Sequence, residues 1–163
     1  MSKKLIFIGG APGVGKSTVA RLLLNDLENC VWLDGDDLWR MNPFIVDDST
    51  KKMVENNISF VLNSFIQAQF SYIIFTWVLH MDSIVNAILS SIDLSGYDFR
   101  HYALTCDEKT LKERHSIDVD RATDFLLAVK RLEQSKDGKS LKIDTVGKTP
   151  LELATILRNE IKS

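Results

Sequence analysis

The stretch Leu5-Ile6-Phe7-Ile8-Gly9-Gly10-Ala11-Pro12-Gly13-Val14-Gly15-Lys16-Ser17-Thr18 decides the fold. Its first four residues are apolar without alternation, as a strand buried on both faces requires. From Lys16 onward, Val19, Leu22, Leu23 and Leu27 recur at helical spacing. Between strand and helix, Gly10, Gly15, Lys16 and Ser17 match the spacing G-x-x-x-x-G-K-S. Glycines let a backbone wrap a phosphate chain with its N–H groups turned inward, and a helix that starts there directs its dipole at negative charge. In this pattern the loop Gly10-Ala11-Pro12-Gly13-Val14-Gly15 cradles the phosphates, and Lys16 reaches the β- and γ-phosphates. Ser17 holds Mg²⁺, and Thr18 adds a second hydroxyl. A plain glycine-rich turn is the bland alternative. The motif's place at the end of the first strand and the start of the first helix favours the phosphate loop.

Strand-like and helix-like segments alternate outward from this loop. Val31-Trp32-Leu33 reads as a second strand, stopped by Asp34-Gly35-Asp36-Asp37. A long helix is expected over about Ser49 to Gln69, with Val54, Ile58, Val61, Leu62, Phe65 and Ile66 on one face. Tyr72 to Leu79 reads as a third strand and Asp82 as the N-cap of the next helix. A fourth strand is expected near His101 to Thr105, then a helix capped by Asp107. Ala122, Phe125, Leu126 and Val129 mark another helix, and Leu141 to Asp144 a fifth strand. Thr149-Pro150-Leu151-Glu152 fits a capping box with proline at the first helical position. Strands alternating with helices argue for an α/β fold with a parallel sheet covered on both faces. Residues 1–163 read as one domain, without internal repeat or linker.

Composition narrows the function classes. The net charge is -2 and the basic residues are dispersed, which leaves no footprint for a nucleic-acid partner. The first apolar run reaches Gly9 after four residues, too short for a signal sequence or a membrane span, so the reading is cytoplasmic and without a membrane partner. Cys30 and Cys106 lack metal-site spacing and read as buried thiols.

The carboxylates after the second strand fall where the strand ends of a parallel sheet face a ligand crevice. Alternation aims Asp34 and Asp36 the same way. One carboxylate there can orient or deprotonate an acceptor hydroxyl and another can hold a metal's water shell. The alternative is a loop whose side chains cap the next helix.

With its phosphate loop in the first strand–helix turn and its second strand ending in Asp34-Gly35-Asp36, the chain resembles the small-molecule P-loop kinases. Among these are gluconate kinase, adenylylsulfate kinase, shikimate kinase, chloramphenicol phosphotransferase and the zeta-toxin relatives. The resemblance implies a three-layer P-loop NTPase fold, with a five-stranded sheet in order 2-3-1-4-5 and a small lid, here about residues 115–135. It implies Asp36 at the acceptor hydroxyl and Asp34 near the metal. Leu104-Thr105-Cys106-Asp107 followed by Leu111-Lys112-Glu113-Arg114 is similar to the family's fourth strand and lid entry. It implies Arg114 against the adenine and Arg121 on the transferring phosphate, with Lys130 and Arg131 as alternatives. The third strand runs to His80 without the aspartate of a standard Walker B. The Asp-Gly-x-Pro-Arg pattern of adenylate-kinase-like enzymes is missing, which counts against a nucleoside monophosphate acceptor.

The expectation is a kinase using ATP and Mg²⁺ to phosphorylate a hydroxyl of a small molecule. Asp37, Trp39, Arg40 and Trp77 are expected around the acceptor, with Asn42, Thr76 and His80 nearby. A non-catalytic nucleotide-binding module and a nucleic-acid end kinase are the competing classes. Replacing Lys16 with Ala is expected to remove most ATP affinity while leaving the fold intact, because an exposed helix start contributes little to stability. Isothermal calorimetry showing equal ATP binding in both proteins would refute the phosphate-loop assignment.

Overall fold

The computed structural model describes residues 2–117 and 124–163. Five strands, β1 (Lys3–Gly10), β2 (Cys30–Asp34), β3 (Tyr72–Thr76), β4 (Tyr97–Thr105) and β5 (Leu141–Asp144), form one sheet in the order β2-β3-β1-β4-β5. Every neighbouring pair is parallel. The helices are α1 (Lys16–Asp26), α2 (Asp48–Gln67), α3 (Asp82–Leu89), α4 (Glu108–Ile117), α5 (Phe125–Lys136) and α6 (Pro150–Lys162).

The continuous apolar runs of the central strands follow from burial on both faces. Along β1, Ile6 and Ile8 join Ile74, Tyr102 and Leu104 against α1, α5 and α6, where Val19, Leu23, Leu132, Leu157 and Ile161 meet them. Leu5 and Phe7 take the opposite face with Ile73 and Phe75, against Val54, Ile58 and Leu62 of α2 and Val85 and Ile88 of α3. The result is the three-layer α/β architecture and strand order expected of the P-loop NTPase fold. Among the described residues no helix is long and apolar enough to cross a membrane. Cys106 is buried and Cys30 half-buried, and burial pushes the Cys30 thiol up to about 12.

Local signals set most boundaries. Asp47 and Thr50 form a reciprocal capping box that opens α2 one residue before the expected Ser49. The expected box of Thr149 and Glu152 opens α6, with Pro150 in its first turn. The carboxylate of Asp107 accepts from the backbone N–H of Thr110 at 2.6 Å, as a cap of α4 should.

Three boundaries differ from expectation. The third strand stops at Thr76 rather than Leu79, level with the end of β2 at Asp34, its partner on the other side from β1. The backbone N–H of Gly10 instead bonds the Val78 carbonyl at 3.0 Å, and Leu79 turns the chain with φ 44 while its side chain stays buried. Asp82 is the first residue of α3 rather than its cap. Met81 holds the cap position without a side-chain bond, and the Asp82 carboxylate accepts from the Lys139 N–H across the fold. Finally, β4 starts at Tyr97, well before His101, where the Lys4–Asp98 ion pair at 3.0 Å extends its pairing with β1.

Leu62 is fully buried between α2 and the sheet. Truncating it to Ala is expected to destabilise the protein by about 2–5 kcal/mol, the range for a large apolar core side chain. Chemical denaturation checks this, and a change under about 1 kcal/mol would contradict the close packing described.

Candidate active site

The phosphate loop is held to the core by its apolar residues and leaves its backbone free. Ala11 and Val14 are buried, and the Val14 N–H bonds the Ala11 carbonyl at 3.2 Å, closing a tight turn. Gly10 has φ 138, and a Cβ there would lie 2.6 Å from the Leu104 carbonyl oxygen of β4. No other residue fits so close to that strand. Gly15, at the N-terminus of α1, hands the chain to the helix. Pro12 and Gly13 are half-buried on the rim of the loop, and Thr18 is exposed. Lys16 Nζ folds back onto the loop, donating to the carbonyls of Gly10 at 2.8 Å and Ala11 at 3.0 Å.

Ser17 and Asp34, both singled out for metal binding, meet directly. The Ser17 hydroxyl donates to Asp34 Oδ2 at 2.8 Å. A hydroxyl beside a carboxylate is the hard-oxygen donor set that Mg²⁺ takes when phosphates and water supply the remaining ligands. Among the described residues no group of three or more His, Cys, Asp or Glu side chains could hold a metal without such help. The pair therefore fits Mg²⁺.

Asp34 and Asp36 do not point alike, contrary to the alternation expected. The strand ends at Asp34, and Gly35–Trp39 forms a short 3-10 turn, so the period of two is lost. Asp34 caps this turn, its Oδ1 accepting from the Asp36 N–H at 3.1 Å. Asp36 faces a cavity of about 570 Å³ that is lined also by Pro12, Trp39, Phe44, Trp77 and Arg131. Asp36 is exposed at the cavity mouth, yet the concave surroundings partly desolvate its carboxylate and raise its pKa. The charge of Asp34 adds to the rise, while Lys16 and a hydrogen bond from Trp77 oppose it. Asp36 is thus a stronger base than an ordinary carboxylate.

Gly35 has a steric reason to separate the two aspartates. A Cβ there would lie 2.6 Å from Cγ of Trp77. The indole packs on bare backbone, which places it in the cavity wall.

The remaining predicted residues divide. Trp39 and Trp77 line the cavity, whereas Arg40 and Asp37 pair with each other at 2.6 Å on the exposed side of the turn. Asn42 and Thr76 are not among the lining residues, and Thr76 accepts a bond from the Trp32 indole at 2.9 Å. Arg114 clamps the phosphate loop to the turn after β5, donating to the Val14 carbonyl at 3.1 Å and to Thr145 Oγ1 at 2.8 Å. Arg121 lies outside the described residues.

Sequence reasoning missed Phe44, Val46, Glu55 and Leu127 in the cavity wall. The run Phe44-Ile45-Val46, apolar yet outside any helix or strand, was the available signal. His80 lines the cavity as a buried side chain. Arg131 donates to its Nε2 and to Gln134 Oε1, and His80 Nδ1 has no partner among the described residues.

Sheet order, phosphate loop and strand-end carboxylates together define a nucleotide-binding P-loop fold of the kinase type. A sequence family described as an AAA domain matches residues 6–122, more than half of the chain, and the protein belongs to that family. Solved structures of similar fold include the tunicamycin resistance protein of Deinococcus radiodurans, with TM-score 0.71 and 17% identity over 98% of this chain and 95% of that one. A gluconokinase from Sinorhizobium meliloti gives TM-score 0.69 and 17% identity over 98% and 94%. The APS kinase of Mycobacterium tuberculosis gives 0.67 and 16% over 99% of both chains. At these identities the likeness is one of fold. No curated protein matches the sequence.

Burial, with the charges of Arg131 and Lys130, lowers the His80 pKa from 6.5 to about 4, and burial does the same at His101. Between those values the unfolded chain binds protons that the folded protein does not. Stability is therefore expected to be level above about pH 6.5 and to fall as pH drops toward 4. His80→Gln should flatten part of that decline in denaturation midpoints measured across the range. An unchanged slope in both His80→Gln and His101→Gln would show that neither imidazole is held neutral.

Proposed function

We propose that this protein is a kinase that uses ATP and Mg²⁺ to phosphorylate an alcohol group of a small molecule. The observation that carries the reading is the position of Asp36. It borders a cavity whose wall also includes Pro12 of the phosphate loop, so a hydroxyl held there would lie between a raised-pKa carboxylate and the loop. The fold shared with gluconokinase and APS kinase supports the same reaction class.

In this reading the loop N–H groups and Lys16 bind the β- and γ-phosphates, and Lys16 exchanges its two carbonyl partners for phosphate oxygens. Ser17 and Asp34 would hold Mg²⁺, which when bound offsets phosphate charge. Asp36 orients the acceptor hydroxyl and takes its proton as the oxygen bonds to the γ-phosphorus and the bond to the ADP oxygen breaks. Arg114 fixes the loop at the nucleotide end through Val14. Arg121, or Arg131 from α5, would supply charge to the transferring phosphate. The acceptor is a small molecule, and a cytoplasmic setting suits the ATP requirement.

A screen of ADP release with sugars, sugar acids, nucleosides and aminocyclitols tests the reading, and release no faster than ATP hydrolysis in buffer with every acceptor would count against it. With an acceptor in hand, Asp36→Asn should keep ATP affinity and lower kcat by on the order of 10², the scale of general-base loss. Were Asp34→Asn the more damaging change and Asp36→Asn near neutral, the two roles would be exchanged.

A further inference from the structure

The cavity beside Asp36 is unlike a site for a polyhydroxylated ligand. Such a ligand needs a hydrogen-bond partner for each buried hydroxyl, and an unpaired one is costly. Few of the polar lining groups here are available. Arg131 and His80 are committed to each other, and Arg131 also to Gln134. Lys51 reaches Asp48 at 3.8 Å. Asp36, Glu55 and the unpartnered Nδ1 of His80 remain, and the half-buried Glu55 side chain makes no hydrogen bond or ion pair with the described residues.

Against this sparse polar set stands a continuous aromatic wall. The ring of Trp39 lies 6.1 Å from Trp77 and 6.2 Å from Phe44, centroid to centroid. Phe75 supports Trp77 from the core at 6.4 Å, and Gly35 lets that indole rest on backbone. The Trp39 indole N–H donates to the Ile45 carbonyl at 3.4 Å, tying the segment after the carboxylate turn over the cavity. Phe44 is 68% and Val46 55% exposed although both line the cavity, so the wall presents apolar surface that a ligand would cover.

We propose that the acceptor is an alcohol carrying an aromatic or heteroaromatic ring. The ring lies against Trp39, Phe44 and Trp77, a donor group on it bonds Glu55, and its hydroxyl meets Asp36. Rings of this kind gain from offset or edge contact with aromatic walls, and that contact tolerates different rings. This inference rests on the kinase reading for the hydroxyl's fate, but not for the binding of the ring.

The test measures binding and transfer separately on the whole chain loaded with a non-hydrolysable ATP analogue. Isothermal titration compares uridine and 2-phenylethanol, a nucleoside and a simple aryl alcohol, with gluconate and myo-inositol. At least one aromatic alcohol is expected to bind more tightly than both polyols. Uridine ahead of 2-phenylethanol marks a nucleoside-type acceptor, and the reverse order an aryl alcohol. Trp39→Leu should weaken that binding by about tenfold, the scale of one lost stacking partner, while Trp39→Phe stays within about threefold. Tighter binding of a polyol, no binding by either aromatic alcohol, or an aromatic affinity unmoved by Trp39→Leu would overturn the inference. ADP release with hydrolysable ATP then judges the other reading. Aromatic binding without release leaves the aromatic site standing and removes the kinase assignment. Release with polyols alone does the opposite.

Discussion

The packing of the Trp77 indole on Gly35 joins the ends of β2 and β3 and organises everything around it. Without a side chain at Gly35, the chain can turn into a 3-10 helix directly under the ring. That turn separates the duties of two neighbouring carboxylates. Asp34 stays with the strand and reaches Ser17, while Asp36 is carried into the cavity. Trp77 also opposes the rise in the Asp36 pKa, so the ring that lines the cavity acts on the carboxylate beside it. A larger residue at Gly35 would push the ring away and loosen both functions together.

How far the sequence could be read follows from the range of each interaction. The phosphate loop is a local object, in which a strand, three positive-φ glycines and a helix start occur within one short stretch. Burial of the sheet on both faces makes the strands visible as unbroken apolar runs, so their alternation with helices was legible too. Trp77, Val78 and Leu79 continue such a run, but a strand needs a partner as well as a composition. Where β2 ended at Asp34, the extra residues left the sheet and became site residues. The aspartates were misread in the same way, because alternation holds only while the strand lasts.

The cavity wall was illegible for a different reason. Trp39 and Phe44 follow the second strand, Glu55 sits on α2, Trp77 follows the third strand, and Leu127 and Arg131 come from α5. No spacing rule relates such distant positions, and each alone reads as a core or surface residue. Arg40 shows the converse. Its pairing with Asp37 three residues away is a local contact that composition could not separate from ligand binding.

The two halves of the site are coupled through charge. The base strength of Asp36 is set by desolvation at the cavity mouth and by four neighbours, of which Asp34 and Asp37 raise its pKa and Lys16 and Trp77 lower it. Lys16 belongs to the phosphate loop, where it is bonded to the Gly10 and Ala11 carbonyls. A phosphate chain that draws Lys16 off those carbonyls also brings negative charge close to Asp36, and nearby negative charge raises a carboxylate pKa further. A cation beside Ser17 and Asp34 would act in the opposite sense. Arg131 lines the same cavity. It is tethered to a neutral His80 and to Gln134, where it holds α5 against the acceptor side. The carboxylate that would take the proton is thus tuned from both sides, by desolvation and Trp77 in the cavity wall and by the charge of Lys16 in the phosphate loop.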